Sequence, residues 1–175
     1  HVIFLSCTVM YHSSKNKIKE KDFNSNKEIY PSYFGGAWMK IFTEKMCEFY
    51  SRLGKNKYTI IRHSNVYGPY DKFDLKKSHV FGATMTKVLR SKNGEINIWG
   101  NGKEKRDLLY VDDLSNFIYL SIKRQKQIFD LFNVGCGNLI SINELTKKIA
   151  LIARKKIFLR HDLSKKNLKT NIVLD

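Results

Sequence analysis

Short apolar runs alternate along the chain with segments that carry apolar residues at helical spacing. The runs typical of buried strands cover residues 2–5, 58–62, 95–99, 108–111, 129–134 and 157–160. The helical pattern covers residues 37–53, 79–90, 112–124 and 141–153. Strands that alternate with helices in this way predict an α/β fold. The residues between 11 and 31 are polar and rich in Lys and Asn, which predicts a loop.

Local features predict where several of the helices begin. Ser141 and Glu144 have the spacing of a capping box, so a helix should start beside them. Asp112 is a suitable N-cap residue for the helix that follows it. Gly35 and Gly36 stand in front of the first helical pattern, and we expect this pair to keep the helix from starting earlier.

Informative polar residues lie where two of the predicted strands meet their turns. The strand 58–62 leads into a polar turn that contains Asn65. Arg106 follows a Gly-rich turn and comes just before the strand 108–111. Ligands of α/β proteins bind at strand ends of this kind. The planar guanidinium of an Arg in that place is suited to bidentate binding of a phosphate group.

These two stretches together resemble the extended short-chain dehydrogenase/reductase family of nucleotide-sugar epimerases, dehydratases and reductases. The first reads R-H-S-N-V-Y-G-P from Arg62, and the second reads G-N-G-K-E-K-R-D-L-L-Y-V-D-D from Gly100. The segment between them, with Asp71, Phe73 and the S-H-V sequence at 78–80, is similar to the GDP-L-fucose synthase branch of that family. The resemblance covers nearly the whole chain.

The resemblance also implies which part of the fold is present. We expect the C-terminal part of a doubly wound, Rossmann-type parallel sheet, with a small α/β substrate-binding lobe. Residues 1–175 would form one partial domain, with lobe segments near 70–99 and 139–175. No stretch has the Gly spacing of a dinucleotide phosphate loop. We therefore expect the N-terminal half that binds the cofactor phosphates to be absent.

Members of the family transfer hydride with a Tyr general acid/base and a Lys four residues later, one helical turn away. The resemblance implies that Lys40, in the pattern K-x-x-x-E-x-x-C-x-x-Y, is this Lys and binds the cofactor ribose. Gly36 occupies the place of the Tyr. The nearest tyrosine, Tyr33, is then either an acid supplied from a remodelled loop or an ordinary loop aromatic residue.

The end of the first strand also departs from the family pattern. Counting back from Tyr11 places Cys7 where the family has a catalytic Ser or Thr. A thiol is a weak hydrogen-bond donor, so Thr8 or Ser6 is the alternative. The resemblance implies that Ser6 and Ser64 lie beside the cofactor, which is NAD or NADP.

The residues expected to bind substrate match the family better. Asn65 matches the Asn of the N-x-Y-G-P turn, with an ordinary turn residue as the alternative. His79 matches a His that acts as acid/base in epimerisation, with helix capping as the alternative. Arg106 matches the Arg that binds the pyrophosphate, with a surface salt bridge as the alternative. We expect all three at one mouth of the fold, and no metal site.

The resemblance implies an NAD(P)-dependent epimerase, dehydratase or reductase that acts on a nucleotide-linked 4-keto sugar. The loss of the Tyr keeps open a different function, that of a non-catalytic relative that binds nucleotide sugar or RNA. The formal net charge is +16. It fits either a face for a polyanion or an enrichment of Lys and Asn spread over solvated surfaces.

The remaining expectations concern compartment and assembly. Three widely spaced cysteines, Cys7, Cys47 and Cys136, are typical of a reducing compartment rather than a disulfide framework. No apolar run is long enough to span a bilayer. We therefore predict a cytoplasmic protein that does not bind membranes. The resemblance implies a homodimer that forms through the helix 37–53.

Overall fold

The computed structural model describes residues 1–75, 77–165 and 171–175, and these residues form two compact units. Unit 1 consists of His1–Val66, Asp107–Asn138 and Ile172–Asp175. Unit 2 consists of Tyr67–Arg106 and Leu139–Asn171. The expectation that segments near 70–99 and 139–175 form a substrate-binding lobe stays a prediction.

Unit 1 is built on a parallel sheet with helices packed on both faces. Its strands are β1 (Val2–Leu5), β2 (Tyr58–His63) and β6 (Phe129–Val134), in the order β1-β2-β6. Its helices are α1 (Phe34–Ser51) and α3 (Val111–Arg124). In register, Leu5 lies opposite Ile61 and His63 lies opposite Val134. Both pairings are parallel, so the parallel sheet that the resemblance implies is confirmed.

Apolar side chains on the two helices of unit 1 contact separate parts of its core. Ala37 and Ile41 of α1 belong to a buried cluster with Met10, Ile18 and Leu174. On the other side of the sheet a second buried cluster contains Ile61, Leu109, Leu114 and Val134. Burial of this apolar surface is the main term that holds the helices against the strands.

Unit 2 combines two helices with a two-stranded parallel sheet. The helices are α2 (Val80–Arg90) and α4 (Ile142–Ile152), and the strands are β4 (Glu95–Trp99) and β8 (Phe158–Asp162). Helix α2 contacts both α4 and β4. The capping box that predicted the start of α4 is confirmed, because the Ser141 hydroxyl accepts a hydrogen bond from the Glu144 backbone N–H.

Two strands of three residues each were not predicted, β3 (Asn65–Tyr67) and β7 (Leu139–Ser141). The strand predicted at 108–111 is observed as β5 (Lys105–Tyr110). Three residues are too few for an alternating pattern to be distinguished from a loop. The chain passes from one unit to the other within β3 and again within β5.

Two predicted helix starts are wrong. Helix α1 begins at Phe34 and contains Gly35 and Gly36, although this pair was expected to keep the helix from starting so early. Glycine costs a helix only about 1 kcal/mol per residue, and burial of Ala37 and Ile41 of α1 in the core offsets that cost. Helix α3 begins at Val111 with Tyr110 as its N-cap residue, so Asp112 lies inside the first turn. There its negative charge interacts favourably with the positive N-terminal end of the helix dipole.

Within the ranges that the structure describes, no helix combines the length and the apolar character needed to cross a membrane.

Candidate functional site

A buried ionic network lies between α1 and the sheet of unit 1. The guanidinium of Arg62 forms a fork with the Glu44 carboxylate, with an Nη2 to Oε2 distance of 2.5 Å. Ser6 Oγ donates to Glu44 Oε1 at 2.5 Å. Arg62 Nη1 donates to the Tyr11 hydroxyl at 2.8 Å, and that hydroxyl donates to Asn133 Oδ1 at 2.8 Å. The Ser6 hydroxyl is therefore already used in a buried hydrogen bond.

Burial affects the ionisation of this network. The pKa of the Tyr11 phenol is raised because burial penalises the phenolate, although Arg62 acts in the opposite direction. Burial also penalises the Arg62 cation, but the hydrogen bonds that Arg62 donates to Glu44, together with the interactions of Tyr11 and the charge of Glu44, overcome the penalty and raise the pKa of the guanidinium. The network therefore contains a neutral phenol and a fixed ion pair. Its role is to stabilise the fold, and it does not donate protons.

Lys40 lies at the carboxyl end of β1. Its Nζ donates to the backbone oxygen of Leu5 at 2.6 Å and lies 4.8 Å from the centre of the Phe4 ring. Cys7 follows that strand end, and burial raises the pKa of its thiol despite the nearby Lys40. Cys7 therefore remains a thiol at neutral pH. Thr8, the alternative to Cys7, is half-buried beside it.

Gly36 lies in α1, one helical turn before Lys40. A Cβ atom added at Gly36 would have no heavy atom within 4 Å. Tyr33 precedes the helix and packs against the cluster that contains Met10 and Ala37. The space in front of Gly36 is therefore open, and the half-buried Tyr33 ring is part of the hydrophobic packing.

Residues after β2 form a connected group around a buried carboxylate. Ser64 Oγ donates to Asp107 Oδ1 at 3.3 Å, and Asn65 Nδ2 donates to the backbone oxygen of Asp107 at 3.1 Å. Asp107 also accepts hydrogen bonds from the backbone N–H groups of Cys136 and Gly137. Its side chain therefore ties together two strand ends. Ser64 and Asn65 both contribute to this structural role.

His63, the last residue of β2, was not singled out from the sequence. Its Nδ1 lies 2.8 Å from the backbone oxygen of Ser64. Burial lowers the pKa of the imidazole, and the positive charge of Lys40 acts in the same direction. An available signal was the presence of a titratable side chain at the end of a buried strand.

Unit 2 contains a cavity of about 350 Å³ that brings Arg106 together with a second cation and an aromatic ring. The residues lining it are Leu75, Ser78, Val80, Ala83, Thr84, Lys87, Ile98, Trp99, Glu104, Arg106 and Ile142. Lys87 Nζ donates to the backbone oxygen of Asn97 at 2.9 Å and lies 5.6 Å from the centre of the Trp99 ring. Burial lowers the pKa of Lys87.

The Gly-rich turn before Arg106 is fixed by contacts with α4. Gly102 has a φ angle of +66°, which favours glycine, and its backbone oxygen accepts from Asn143 N at 3.0 Å. Ile142 N donates to the backbone oxygen of Glu104 at 3.0 Å. Arg106 Nη1 donates to the backbone oxygen of Lys105 at 2.8 Å. These contacts place the half-buried Arg106 at the cavity wall.

His79 is the exposed N-cap residue of α2, and its side chain makes no cap hydrogen bond. Its neighbours Ser78 and Val80 line the cavity, but His79 itself does not. Asn65 belongs to unit 1, whereas His79 and Arg106 belong to unit 2. The expectation that all three share one mouth stays a prediction.

The positive charge is concentrated in unit 2. Eighteen of the 32 Lys and Arg residues and six of the 16 Asp and Glu residues fall within the ranges of unit 2, which gives it a net charge of +12. Unit 1 carries the remaining +4. An anionic ligand is therefore favoured at unit 2. Across the described parts of both units, no group of three or more His, Cys, Asp or Glu residues could hold a metal ion.

Comparison with known proteins places this geometry in context. The NAD dependent epimerase/dehydratase family matches residues 1–135, well over half of the chain. The chain belongs to this family. The resemblance stated from its two motifs is therefore confirmed. The matched region includes Lys40, Asn65, His79 and Arg106.

Two curated relatives show how much of a similar protein the chain spans. A GDP-L-colitose synthase from Yersinia pseudotuberculosis is 32% identical over 165 residues, which are 92% of this chain and 54% of that protein. A GDP-L-fucose synthase from Sinorhizobium fredii (strain NBRC 101917 / NGR234) is 34% identical over 132 residues, 74% of this chain and 42% of that protein. The chain thus spans about half the length of the curated relatives it matches.

Solved structures agree with the fold expected for the family. A GDP-6-OMe-4-keto-L-xylo-heptose reductase from C. jejuni matches with a TM-score of 0.85 over 99% of this chain and 62% of that chain. The identity is 21%, so the likeness shows the fold alone. It confirms the prediction of an α/β, Rossmann-like fold with a parallel sheet.

Proposed function

We propose that the full-length protein is an NAD(P)-dependent epimerase or reductase that acts on a GDP-linked 4-keto sugar. By full-length protein we mean this chain together with the cofactor-binding half expected from the resemblance. The curated relatives whose names specify GDP-L-colitose and GDP-L-fucose support the choice of guanosine diphosphate. The epimerase/dehydratase family supports the reaction class.

The observation that carries this proposal is the cavity of unit 2. Its volume of about 350 Å³ falls within the usual size of ligand pockets. Arg106 and Lys87 supply two cations for a diphosphate, and the Trp99 ring, 62% exposed, offers an apolar face to a base or sugar. An Arg can bind two phosphate oxygens at once, whereas Lys acts as a point charge.

The residues of unit 1 fit a nicotinamide cofactor. Lys40 holds its ammonium at the carboxyl end of β1, and the space in front of Gly36 is open. In the bound state Lys40 would hold the ribose hydroxyl groups, with Cys7, Thr8 and Ser64 nearby at the ends of their strands. The cofactor would supply or take up the hydride. The protein must then move a proton at the sugar oxygen.

A second candidate function is nucleotide-sugar binding without catalysis. The observation in its favour is Gly36, because the family places its proton-transferring Tyr there. Such a protein would use the cavity of unit 2 and would not interconvert alcohol and ketone. Hydride transfer therefore separates the two candidates, whereas binding of GDP does not.

Calorimetry with the 175-residue chain tests the binding step. We expect GDP to bind more tightly than UDP, and Arg106→Ala to weaken GDP binding by about tenfold to a hundredfold, because a charged hydrogen bond contributes about 1.5–3 kcal/mol. Arg106→Lys should recover only part of the loss. Arg90→Ala is the matched control, because Arg90 is an exposed residue of the same unit and does not line the cavity.

Equal affinity for GDP in the Arg106→Ala and Arg90→Ala chains would contradict the assignment of the cavity. Binding of GDP with no hydride transfer in the full-length protein would favour the non-catalytic candidate. Tighter binding of RNA than of GDP would favour the RNA-binding candidate. We expect the 175-residue chain to bind NAD and NADP only weakly, because it has no phosphate loop.

A further inference from the structure

The carboxyl ends of β1 and β2 bring three titratable residues to one edge of the sheet in unit 1. Leu5 lies opposite Ile61, and the Ser6 N–H donates to the Ile61 oxygen at 2.8 Å. Cys7 lies two residues after Leu5, and His63 lies two residues after Ile61. Lys40 reaches the same edge from α1, because its Nζ bonds to the oxygen of Leu5. Strand ends of this kind are where α/β sheets bind their ligands.

The hydrogen bond of His63 determines which ring nitrogen carries the proton in the neutral side chain. Its Nδ1 lies 2.8 Å from the backbone oxygen of Ser64, and a carbonyl oxygen can only accept. Nδ1 is therefore the donor, and Nε2 keeps its lone pair. None of the hydrogen bonds found among residues 1–75, 77–165 and 171–175 involves this Nε2. The half-buried imidazole thus presents one nitrogen that can take up and release a proton.

The other groups at this edge are poorly suited to proton transfer near neutral pH. Burial raises the pKa of the Cys7 thiol, so the thiolate is disfavoured. Tyr33 packs in the hydrophobic cluster, and Gly36 has no side chain. Histidine is the side chain whose ordinary pKa lies in the neutral range.

We propose that His63 is a catalytic acid–base residue that takes over the proton transfer for which this chain has no Tyr at position 36. The proposal rests on the function proposed above and adds a residue to it. In reduction, the nicotinamide, when bound, would supply a hydride to the carbonyl carbon of the sugar. The electron pair of the C=O π bond then forms the new O–H bond with the proton from Nε2. The products are a secondary alcohol, a neutral imidazole and the oxidised cofactor.

The direction of the pH dependence follows from this step. Reduction requires the imidazolium, so its rate should fall as the pH rises through the pKa of His63. Lys40 from α1 lowers that pKa in addition to burial, Cys7 after β1 stays neutral, and Val134 of β6 on the other side is apolar. The midpoint should therefore lie below the ordinary value of 6.5. Oxidation of the alcohol requires the neutral imidazole and should show the opposite slope.

The test compares three variants of the full-length protein with the wild type. His63→Gln should lower kcat by about 100-fold to 10,000-fold, which is the usual range for general acid–base catalysis, with KM little changed. It should also remove the pH dependence described above. Gly36→Tyr in the His63→Gln background should restore part of the rate, because the space at Gly36 is open. His12→Gln is the matched control, because His12 bonds to the Glu28 oxygen in a surface loop.

A second measurement does not depend on activity. Long-range ¹H–¹⁵N NMR of the histidine rings in the 175-residue chain should show His63 with its proton on Nδ1 and a pKa below 6.5. Unchanged kcat and pH profile in His63→Gln, with an active wild type, would overturn the role of His63 alone. A higher KM with unchanged kcat would also overturn it, because it would mean a binding role. A wild type without hydride transfer would overturn both this role and the proposed catalytic function.

Discussion

Removing the charge of Glu44 should strongly destabilise unit 1. Both partners of the ion pair have only 5% of their side chains exposed, and the Arg62 fork contacts both carboxylate oxygens. Glu44→Gln keeps the shape but leaves Arg62 buried without its counter-charge, and it sets an NH₂ group against a guanidinium N–H. Breaking a buried pair in this way costs about 3–5 kcal/mol. The free energy of unfolding of a natural domain is only about 5–15 kcal/mol in total.

Urea unfolding provides the assay. The chain has two tryptophans, so a Trp99→Phe background leaves Trp38 of α1 as the fluorescent reporter of unit 1. With a slope of about 2 kcal/mol per molar urea, a loss of about 4 kcal/mol moves the midpoint by about 2 M. Combining Glu44→Leu with Arg62→Met should cost less than Glu44→Gln alone, because neither charge then remains buried.

Glu48→Gln is the matched control for the charge effect. Glu48 lies one turn further along the same helix, its side chain is 28% exposed, and it pairs with Lys45 and Arg52. Such surface pairs are worth less than about 1 kcal/mol, so the midpoint should move by less than about 0.5 M. Equal midpoint shifts for Glu44→Gln and Glu48→Gln would refute the reasoning.

Two further predictions concern assembly and acid. If the chain forms the predicted homodimer through α1, Phe42→Glu should halve the mass in analytical ultracentrifugation, because Phe42 is 65% exposed on that helix. Lys55→Glu, in the exposed loop after α1, should leave the mass unchanged. An unchanged mass for Phe42→Glu would contradict this interface. Hydrogen bonds from Lys45 and Arg52 lower the pKa of Glu48 below 4.5, so its contribution to stability is present above that pH and lost as the pH falls through the folded-state value. The difference in urea midpoint between the wild type and Glu48→Gln should therefore shrink on acidification, and a constant difference would argue against the shift.

Features that depend on neighbouring residues could be predicted from the sequence. The capping box of α4 needs only Ser141 and Glu144, three residues apart, and it formed as expected. The strands β1 and β6 were also predicted with their observed ends. Short runs rich in apolar residues are enough to indicate a strand, even where Asp130 and Asn133 interrupt the run of β6.

Features that depend on tertiary packing could not be predicted in the same way. Gly35 and Gly36 have low helix propensity, yet α1 contains both, because Ala37 and Ile41 on the same helix are buried in the core. The pairing of Glu44 with Arg62 joins residues from different elements, and nothing local specifies it. A signal did exist, because a charged residue in a buried strand needs a partner.

In the candidate site too, features that depend on local motifs could be predicted, and features that depend on tertiary packing could not. Arg106 was found from a motif, and the structure places it at a cavity wall with Lys87 and Trp99. Spacing along the chain could not reveal that cavity, because its lining comes from separated segments. Lys40 could be placed from its motif, but the open space at Gly36 and the state of the His63 ring follow only from atomic positions.

The alternation of the chain between the two units has a consequence for cutting the backbone. Each of the two segments of unit 2 is joined to unit 1 at both ends, and the chain returns to unit 1 at Ile172. There Leu174 N donates to Asp107 Oδ2, and Ile18 N donates to the Val173 oxygen at 2.8 Å. No single protease nick can therefore release one unit from the other, since at least one product always carries parts of both. Neither unit can be expressed as one uninterrupted stretch of the gene.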